Sequence, residues 1–393
     1  MNQPIVNLLA AIGMSVLLMA CRPDPEIIEV PVPFEIDSLA LLPQWENHPG
    51  FFGVDKVQWA NWSDESLCLL VGNSESNFLQ AGGSISAAWE GYALSSQHSN
   101  PHYKPSLSRD WLVLQDVSRG TLFIGHPLIG NTRTFLNLSD HPQTKTLSFL
   151  SWKHWLPSTY AGTFIKTTPS EFAWVGWAKD TNDIMGLVYV EGSLSSLPGN
   201  PALNRIEWNP LPSSELSIAS PIAPAFLAQV GDAVLVGIGN SPDSTALFGE
   251  QLFLWRPGQG YERIPADRYG STALRTAFSA SDGQTAYLML DDGDLHQVRA
   301  NGSFTLIFEG LYNYEVSHLS AAKDLRGYFA FFFHDNLALW DKAIANLWLS
   351  PNLGLDGHSI ADVTLFQDTL LISSQTGGIF YQALSEVWPE DQR

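Results

Sequence analysis

Residues 286–308 read Ala286-Tyr-Leu-Met-Leu-Asp-Asp-Gly-Asp-Leu-His-Gln-Val-Arg-Ala-Asn-Gly-Ser-Phe-Thr-Leu-Ile-Phe308. The stretch alternates three apolar runs with two polar turns, in the order Ala286–Leu290, Asp291–Asp294, Leu295–Arg299, Asn301–Gly302 and Phe304–Phe308. The Asp-Gly and Asn-Gly pairs in the turns adopt the positive φ that tight hairpins require. The stretch therefore predicts an antiparallel meander of three strands, and repeated meanders of three or four strands build β-propellers.

The rest of the chain repeats this pattern. Apolar runs of four to eight residues, rich in β-branched and aromatic side chains, are separated by Gly, Pro, Asn, Asp and Ser. They include Ser66–Val71, Trp111–Gln115, Thr121–Ile124, Glu171–Trp177, Gly186–Val190, Ala233–Ile238, Gln251–Trp255, Tyr328–Phe333, Asp368–Ser373 and Gly378–Tyr381. No long amphipathic helical pattern appears after about Gly53. The predicted fold class is all-β.

The starts of several units carry a common motif. Phe278-Ser-Ala-Ser-Asp-Gly-Gln-Thr-Ala-Tyr287 resembles the opening of blades in TolB-like and WD-repeat propellers, and Pro105-Ser-Leu-Ser-Arg-Asp-Trp-Leu-Val-Leu114 is similar to it. A degenerate copy at Leu319–Tyr328 is followed by Leu337-Ala-Leu-Trp-Asp341, which is similar to the strand end that names the WD repeat. Ser279 and Ser320 are 41 residues apart, a normal blade length. The resemblance implies a β-propeller.

The length sets the number of blades. At about 42–49 residues per blade, residues 51–393 predict seven four-stranded blades, with eight also possible. A pair of β-sandwiches is the structural alternative, because short strands with regular turn signals suit either architecture.

The N-terminus predicts a targeting signal. Residues 5–20 carry no charge and are mostly apolar, and this run is shorter than the roughly 20 residues that a membrane-spanning helix needs. Its end, Leu18-Met-Ala-Cys21, resembles the bacterial lipobox, which implies that Cys21 is acylated and becomes the mature N-terminus. The expected domains are a signal peptide at 1–20, a Pro-rich acidic tether at 21–50 and the propeller at 51–393. An ordinary signal peptide or a short buried helix is the alternative for 5–20.

Acylation at Cys21 would anchor the chain in a membrane, because each buried CH₂ of a lipid contributes about 0.8 kcal/mol. Arg22 follows Cys21, and by analogy with enteric bacteria this favours the outer membrane, with the domain facing the periplasm. Cys68 lies in the apolar run Ser66–Val71 and is expected to be a buried, inert thiol.

Composition excludes several classes of protein. With 20 Lys and Arg against 40 Asp and Glu, the formal net charge is −20. This leaves no basic patch for nucleic acid, so no nucleic-acid partner is expected. The hydrophobic fraction of 45% is too high for a disordered chain. Two cysteines can form neither a disulfide framework nor a four-cysteine zinc site.

No motif of catalysis or cofactor binding is present. The sequence lacks G-x-S-x-G, H-E-x-x-H and the P-loop. His98 and His102 are interpreted as loop histidines rather than a metal pair, because Ser, Asn and Pro around them oppose a helix. Asp291, Asp292 and Asp294 could suggest calcium, but a hairpin turn explains them without a ligand. No catalytic, cofactor-binding or metal-binding residue is therefore expected.

Two classes of function fit this pattern. The favoured hypothesis is a non-catalytic module that binds a protein or peptide in the cell envelope, as TolB-like propellers do. The alternative is a propeller enzyme or lectin for a glycan or lactone, with carboxylates from several blades meeting at the axial funnel. Tryptophan pairs could stack on sugars or pack in the core, and core packing is favoured; these pairs are Trp59/Trp62, Trp152/Trp155 and Trp174/Trp177.

Overall fold

The structure is a computed structural model, and the residues it describes all lie in one compact unit, Gln44–Arg393. They are 45–47, 56–63, 66–72, 77–82, 90–93, 103–108, 111–116, 121–125, 136–149, 162–168, 170–194, 201–212, 223–239, 249–270, 273–310, 321–343, 345–350, 354–355, 357–366, 368–374 and 379–388. Cys21 and the expected boundaries at residues 20 and 50 lie outside them.

The described residues form 29 strands in antiparallel sheets, with one short 3₁₀ turn at Ala266–Arg268 and one helix, α1, at Leu384–Val387. The first strand of the chain is β1 (Glu46–Asn47). Blade 1 contains β2 (Lys56–Ser63), β3 (Ser66–Gly72), β4 (Asn77–Gly82) and β5 (Glu90–Ala93). Blade 2 contains β6 (Tyr103–Ser108), β7 (Trp111–Asp116), β8 (Thr121–Gly125) and β9 (Leu136–Asn137). Blade 3 contains β10 (Ser148–Phe149), β11 (Gly162–Thr167), β12 (Glu171–Lys179), β13 (Met185–Leu194) and β14 (Pro201–Pro210).

The later blades follow the same plan. Blade 4 contains β15 (Ala223–Val230), β16 (Ala233–Gly239), β17 (Gly249–Arg256) and β18 (Gly260–Ile264). Blade 5 contains β19 (Leu274–Ser279), β20 (Thr285–Leu290), β21 (Leu295–Arg299) and β22 (Phe304–Phe308). Blade 6 contains β23 (Ala321–Asp324), β24 (Tyr328–Phe333), β25 (Asn336–Asp341) and β26 (Asn346–Ser350). Blade 7 contains β27 (Ile360–Phe366), β28 (Thr369–Ser374) and β29 (Ile379–Ala383), completed by β1.

Blade 7 closes the ring with strands from both ends of the described chain. Glu46 and Asn47 of β1 pair with Tyr381 and Phe380 of β29, so an early segment becomes the outer strand of the last blade. Blades 4 and 5 are linked by the single pairing Gly249↔Leu274. Over the described ranges the sheets therefore make seven blades, and the predicted all-β propeller is confirmed.

The first strands of the blades lie on the inside of the ring; in blade 3 this strand is β11, because the short β10 pairs only with the end of β12 beside it. Neighbouring inner strands contact one another in the order β27, β2, β6, β11, β15, β19 and β23 around the ring. Five of them contain a β-bulge, at Val57/Trp59, Phe164/Lys166, Pro224/Phe226, Leu274/Thr276 and Ile360/Asp362. A bulge bends a strand and increases its twist. The repeated bulge is suited to strands that converge around one axis.

The opening meander is confirmed at residue level. The three predicted strands are β20, β21 and β22, and the observed bounds differ from the prediction by one residue at the start of β20. The repeat phase differs from the prediction. Ser279 pairs with Ala286, and the equivalent pair in blade 6 is Asp324 with Phe329, so Asp324 corresponds to Ser279 rather than Ser320. The hairpin connection of blade 6 is also shorter than that of blade 5, so the degenerate motif of blade 6 does not align with the motif of blade 5 along its whole length.

Large aromatic side chains fill the spaces between blades. Trp174 and Trp177 of β12 are each 1% exposed, which confirms the core prediction for this pair. The Trp174 ring lies so close to Gly162 and Gly176 that an added Cβ would meet it at 2.1 and 1.8 Å. The glycine pair beside Trp174 on the sheet therefore provides room for the indole.

The other tryptophan pairs and Cys68 lie in blade 1 or outside the described residues. Trp59 and Trp62 lie in β2 and Cys68 lies in β3. Trp152 and Trp155 lie outside the described residues. Within the described ranges, no helix has the length and apolar character of a membrane span.

Candidate functional site

In blades 3–7 the turns between the first and second antiparallel strands are described, and they lie at one end of the ring; we call them the inner turns. Gln229, at the end of β15, donates from Nε2 to the Ile165 carbonyl of blade 3 at 3.0 Å. Its backbone N–H donates to Ser279 Oγ of blade 5 at 2.7 Å. Gly231 N–H donates to the Gly283 carbonyl at 2.8 Å, which joins the inner turns of blades 4 and 5 directly. The inner turns of blades 3–5 are therefore neighbours.

The motif serine has a structural task at this end. Ser279 belongs to the Phe-Ser-x-x-Asp-Gly opening, and its hydroxyl accepts a backbone N–H from the preceding blade. Asp282 of the same motif accepts the Gln284 N–H at 2.8 Å, and Gly283 has a φ of 68°. The motif thus builds a turn and joins two blades, as expected of a propeller repeat.

Replacing Ser279 with alanine should lower the free energy of unfolding by about 1–2 kcal/mol, because the Gln229 N–H loses its acceptor inside the ring. Urea unfolding of the full chain measures the loss. Ser281→Ala is the matched control, since Ser281 is exposed and contributes only its backbone N–H to a contact. Equal stability of the two variants would contradict this role for Ser279.

Blades 5 and 6 are joined by a buried carboxylate. Asp324, at the end of β23, has a side chain that is only 2% exposed. Its Oδ2 accepts the Ser281 N–H of blade 5 at 2.9 Å, and its Oδ1 is ion-paired with Lys342 Nζ. Lys342 Nζ also donates to the Arg326 carbonyl at 2.6 Å. The carboxylate is therefore engaged through both of its oxygens.

Blades 6 and 7 share a second buried ion pair. Lys323 Nζ lies 3.0 Å from Oδ1 and 3.1 Å from Oδ2 of Asp362, which is 4% exposed and follows the bulge of β27. Burial raises the pKa of the Asp362 carboxyl, although Lys323 and the Val363 N–H act in the opposite direction. Because Lys323 and Asp324 are consecutive strand residues, they point to opposite faces and contact opposite neighbouring blades.

Exposed acidic residues occupy the inner turns. Asp232, Asp282 and Asp368 lie in the turns of blades 4, 5 and 7 and are exposed. Glu171, which follows the turn of blade 3, is also exposed, but it pairs with Lys166 at 2.9 Å. Carboxylates arranged around one axis add to a common negative field. These carboxylates can attract positive charge, although two cations lie at the same end, Arg326 in the turn of blade 6 and Lys342, which donates to the Arg326 carbonyl.

The acidic hairpin of blade 5 forms the predicted turn. Asp294 N–H donates to Asp292 Oδ1 at 3.1 Å, and Gly310 N–H donates to Asp294 Oδ1 at 2.8 Å. Asp291 pairs with Arg275 at 3.4 Å, and Gly293 has a φ of 89°. Each carboxylate thus has a role in the turn or in its contact with β19.

His296, on β21 next to this hairpin, should make stability depend on pH. Burial lowers the pKa of His296 below its ordinary 6.5, although Asp294 and Asp292 act in the opposite direction. Below about pH 6.5 the unfolded chain binds a proton that the folded chain does not, so stability falls as pH decreases. The thermal midpoint should therefore fall more between about pH 7 and pH 5 for the natural chain than for His296→Gln. Identical pH profiles would contradict the burial of His296.

Among the described residues, no group of three or more His, Cys, Asp or Glu side chains could hold a metal ion. Cys21, His98 and His102 lie outside the described residues. The ion pairs of Asp324 and Asp362 were not predicted, because their partners lie 18 and 39 residues away in the sequence.

Comparison with known proteins shows the fold. No protein-family model matches the chain, and no curated protein matches it. YCF48 bound to a D1 peptide matches with a TM-score of 0.52 at 12% identity, covering 87% of this chain and 96% of that one. PorZ, an essential surface component of the type-IX secretion system of Porphyromonas gingivalis, matches at 0.46 and 13%, covering 88% and 38%. The extracellular domain of BT4673 from B. thetaiotaomicron matches at 0.47 and 12%, covering 86% and 39%. The chain thus spans about two fifths of the latter two proteins, and its likeness to YCF48 is one of β-propeller fold.

Proposed function

We propose that this chain is a non-catalytic binding module that docks a positively charged protein or peptide segment at its inner-turn end. The observation that carries the proposal is the exposure of Asp232, Asp282 and Asp368 on inner turns around one axis. The net charge of −20 gives the whole chain the same preference for basic partners. A propeller supplies a rigid surface for such a contact, which reduces the entropy lost on binding.

The state of the buried acids supports binding over catalysis. A general acid or base must be free to exchange its proton with a substrate. Asp324 and Asp362 are each held by a lysine and by backbone N–H groups. Both carboxylates join neighbouring blades, and each carries a lysine ion pair instead of a free proton-exchange position. Peptide binding is also known in the fold, since YCF48 was solved with a D1 peptide, but a fold alone hosts many functions.

We further propose that Cys21 anchors the module in the bacterial cell envelope, at the outer membrane facing the periplasm. Support comes from the lipobox resemblance of Leu18–Cys21 and from the Pro-rich stretch that follows it. A Pro-rich segment is semi-rigid and extended, so it would hold the domain away from the lipid. The TolB-like motif resemblance at Phe278–Tyr287 favours an envelope partner.

Replacing Cys21 with alanine should release the protein from membranes, because the acyl chains are lost while the propeller is unchanged. Membrane and soluble fractions of cells that express the natural chain and Cys21→Ala give the measurement, and Cys68→Ala is the control. Complete retention of Cys21→Ala in the membrane fraction would exclude the anchor.

The binding proposal is tested by pull-down from membranes with two charge-matched variants. The turn variant carries Asp232→Asn, Asp282→Asn and Asp368→Asn. The rim control carries Asp183→Asn, Asp267→Asn and Glu309→Gln, which are exposed positions in connections at the opposite end of the blades. Asparagine keeps the oxygen with which Asp282 accepts the Gln284 N–H. We expect the natural chain and the rim control to enrich the same protein and the turn variant to lose it. If the turn variant still enriches that protein, the inner turns are ruled out as the docking site.

A further inference from the structure

The ammonium group of Lys342 lies among residues of blades 5 and 6, and we call these surroundings the ammonium pocket. Lys342 Nζ is 4.5 Å from the centre of the Phe329 ring and 5.7 Å from that of Tyr287. It also contacts the Asp324 carboxylate and the Arg326 carbonyl. One carboxylate, one carbonyl and two aromatic faces are together the chemistry that binds an ammonium group.

The walls of the pocket are held independently of Lys342. The Phe329 and Tyr287 rings are buried, with centroids 4.4 Å apart, and Trp340 stacks on Phe329 at 5.1 Å. Asp324 is fixed by the Ser281 N–H. Lys342 itself lies in the turn after β25, and its side chain is 25% exposed. The groups around the ammonium thus have contacts of their own, and the Lys342 side chain is within reach of solvent.

We propose that this pocket is a binding site for a primary ammonium group, such as a lysine side chain of a partner, and that Lys342 occupies it in the free protein. Exchange of one ammonium for the other keeps the buried Asp324 charge paired throughout, so it avoids the cost of an isolated buried carboxylate. The pocket adjoins the inner turn of blade 5, because Ser281 precedes Asp282. This inference rests on the proposed function, since it assigns a contact to the positively charged partner.

The pocket can be tested with an ammonium ion alone. In the full chain, Lys342→Ala removes the resident cation and should lower the thermal midpoint. n-Butylammonium chloride should then raise the midpoint saturably, whereas NaCl at equal ionic strength should not. The double variant Lys342→Ala/Asp324→Asn should show no such response. An equal response in the double variant, or no response in Lys342→Ala, would overturn the proposal. If Lys342→Ala does not fold, Lys342→Met replaces it, because methionine keeps the aliphatic part of the side chain. Spectra of the natural chain labelled with ¹⁵N-lysine give a second measurement, in which the Lys342 ammonium signal must change when butylammonium is added. An unchanged signal would count against the site.

Binding of a peptide made of lysine and serine distinguishes the failure of this proposal from the failure of the proposed function. Because a resident occupant reduces apparent affinity, Lys342→Ala should bind the peptide about tenfold more tightly than the natural chain. For the same peptide with acetylated lysines, Lys342→Ala should bind no more tightly than the natural chain. If the turn variant loses peptide binding while Lys342→Ala binds like the natural chain, the inner turns are supported and the pocket is wrong. If no variant or natural chain binds the peptide, the proposed function itself fails, whatever the response to butylammonium.

Discussion

Replacing Lys323 with alanine is expected to lower the free energy of unfolding by about 3 kcal/mol, because it leaves the Asp362 carboxylate buried without its cation. Lys323 Nζ contacts both oxygens of Asp362, which is 4% exposed. The loss should also depend on pH. Without Lys323 the folded pKa of Asp362 lies further above its unfolded value, so the folded state binds the extra proton and the deficit shrinks as pH falls towards about 4.

The control is the double variant Lys323→Met/Asp362→Asn, which removes both charges and keeps similar volumes. It should recover most of the lost stability, since a neutral pair has no uncompensated buried charge. Urea unfolding at neutral and acid pH measures all three chains. A double variant that is less stable than Lys323→Ala would show that this ion pair is not what holds blades 6 and 7 together.

Replacing Trp45 with alanine should cost about 3–4 kcal/mol, because it empties a core site at the closure of the ring. Trp45 is 4% exposed and belongs to a core cluster that includes Leu355 and Trp388. Its carbonyl packs against Gly354, where an added Cβ would meet it at 2.6 Å. Trp45 directly precedes β1, so its loss should also weaken the pairing of β1 with β29.

Two further variants serve as references for the loss of stability in Trp45→Ala. Trp45→Phe keeps an aromatic side chain and should lose less than Trp45→Ala. Leu349→Ala removes a large apolar side chain that is 46% exposed, so it should change the unfolding free energy by less than about 1 kcal/mol. If Trp45→Ala were as mild as Leu349→Ala, β1 would not be an integral strand of blade 7.

Local signals made most of the fold predictable. The meander of β20–β22 follows from two turns whose residues favour positive φ, and both glycines have it, at 89° for Gly293 and 74° for Gly302. The ring closure had no local signal, because β1 has two residues and pairs across more than 330 positions of sequence. The positions equivalent to the motif in blade 6 were not predictable either, because its copy is degenerate and its hairpin connection differs in length from that of blade 5.

The candidate site was less predictable than the fold. Ser279 was found through a motif, but its contact with Gln229 depends on the packing of two blades. Lys342 and Asp324 carry no pattern that distinguishes them from ordinary surface charges, because only the fold brings their blades together with Phe329 and Tyr287. Cys21 stays a prediction from the sequence.

Titration of a lysine–serine peptide into the full chain tests docking at the inner turns most directly. We expect saturable binding that weakens as salt is raised, because the contact is electrostatic. Binding should be about tenfold weaker for the turn variant, which removes three carboxylates from the inner turns, and unchanged for the rim control. Equally weakened peptide binding in both variants would show that the affinity depends only on net charge. Undiminished binding by the turn variant would contradict docking at this end of the propeller.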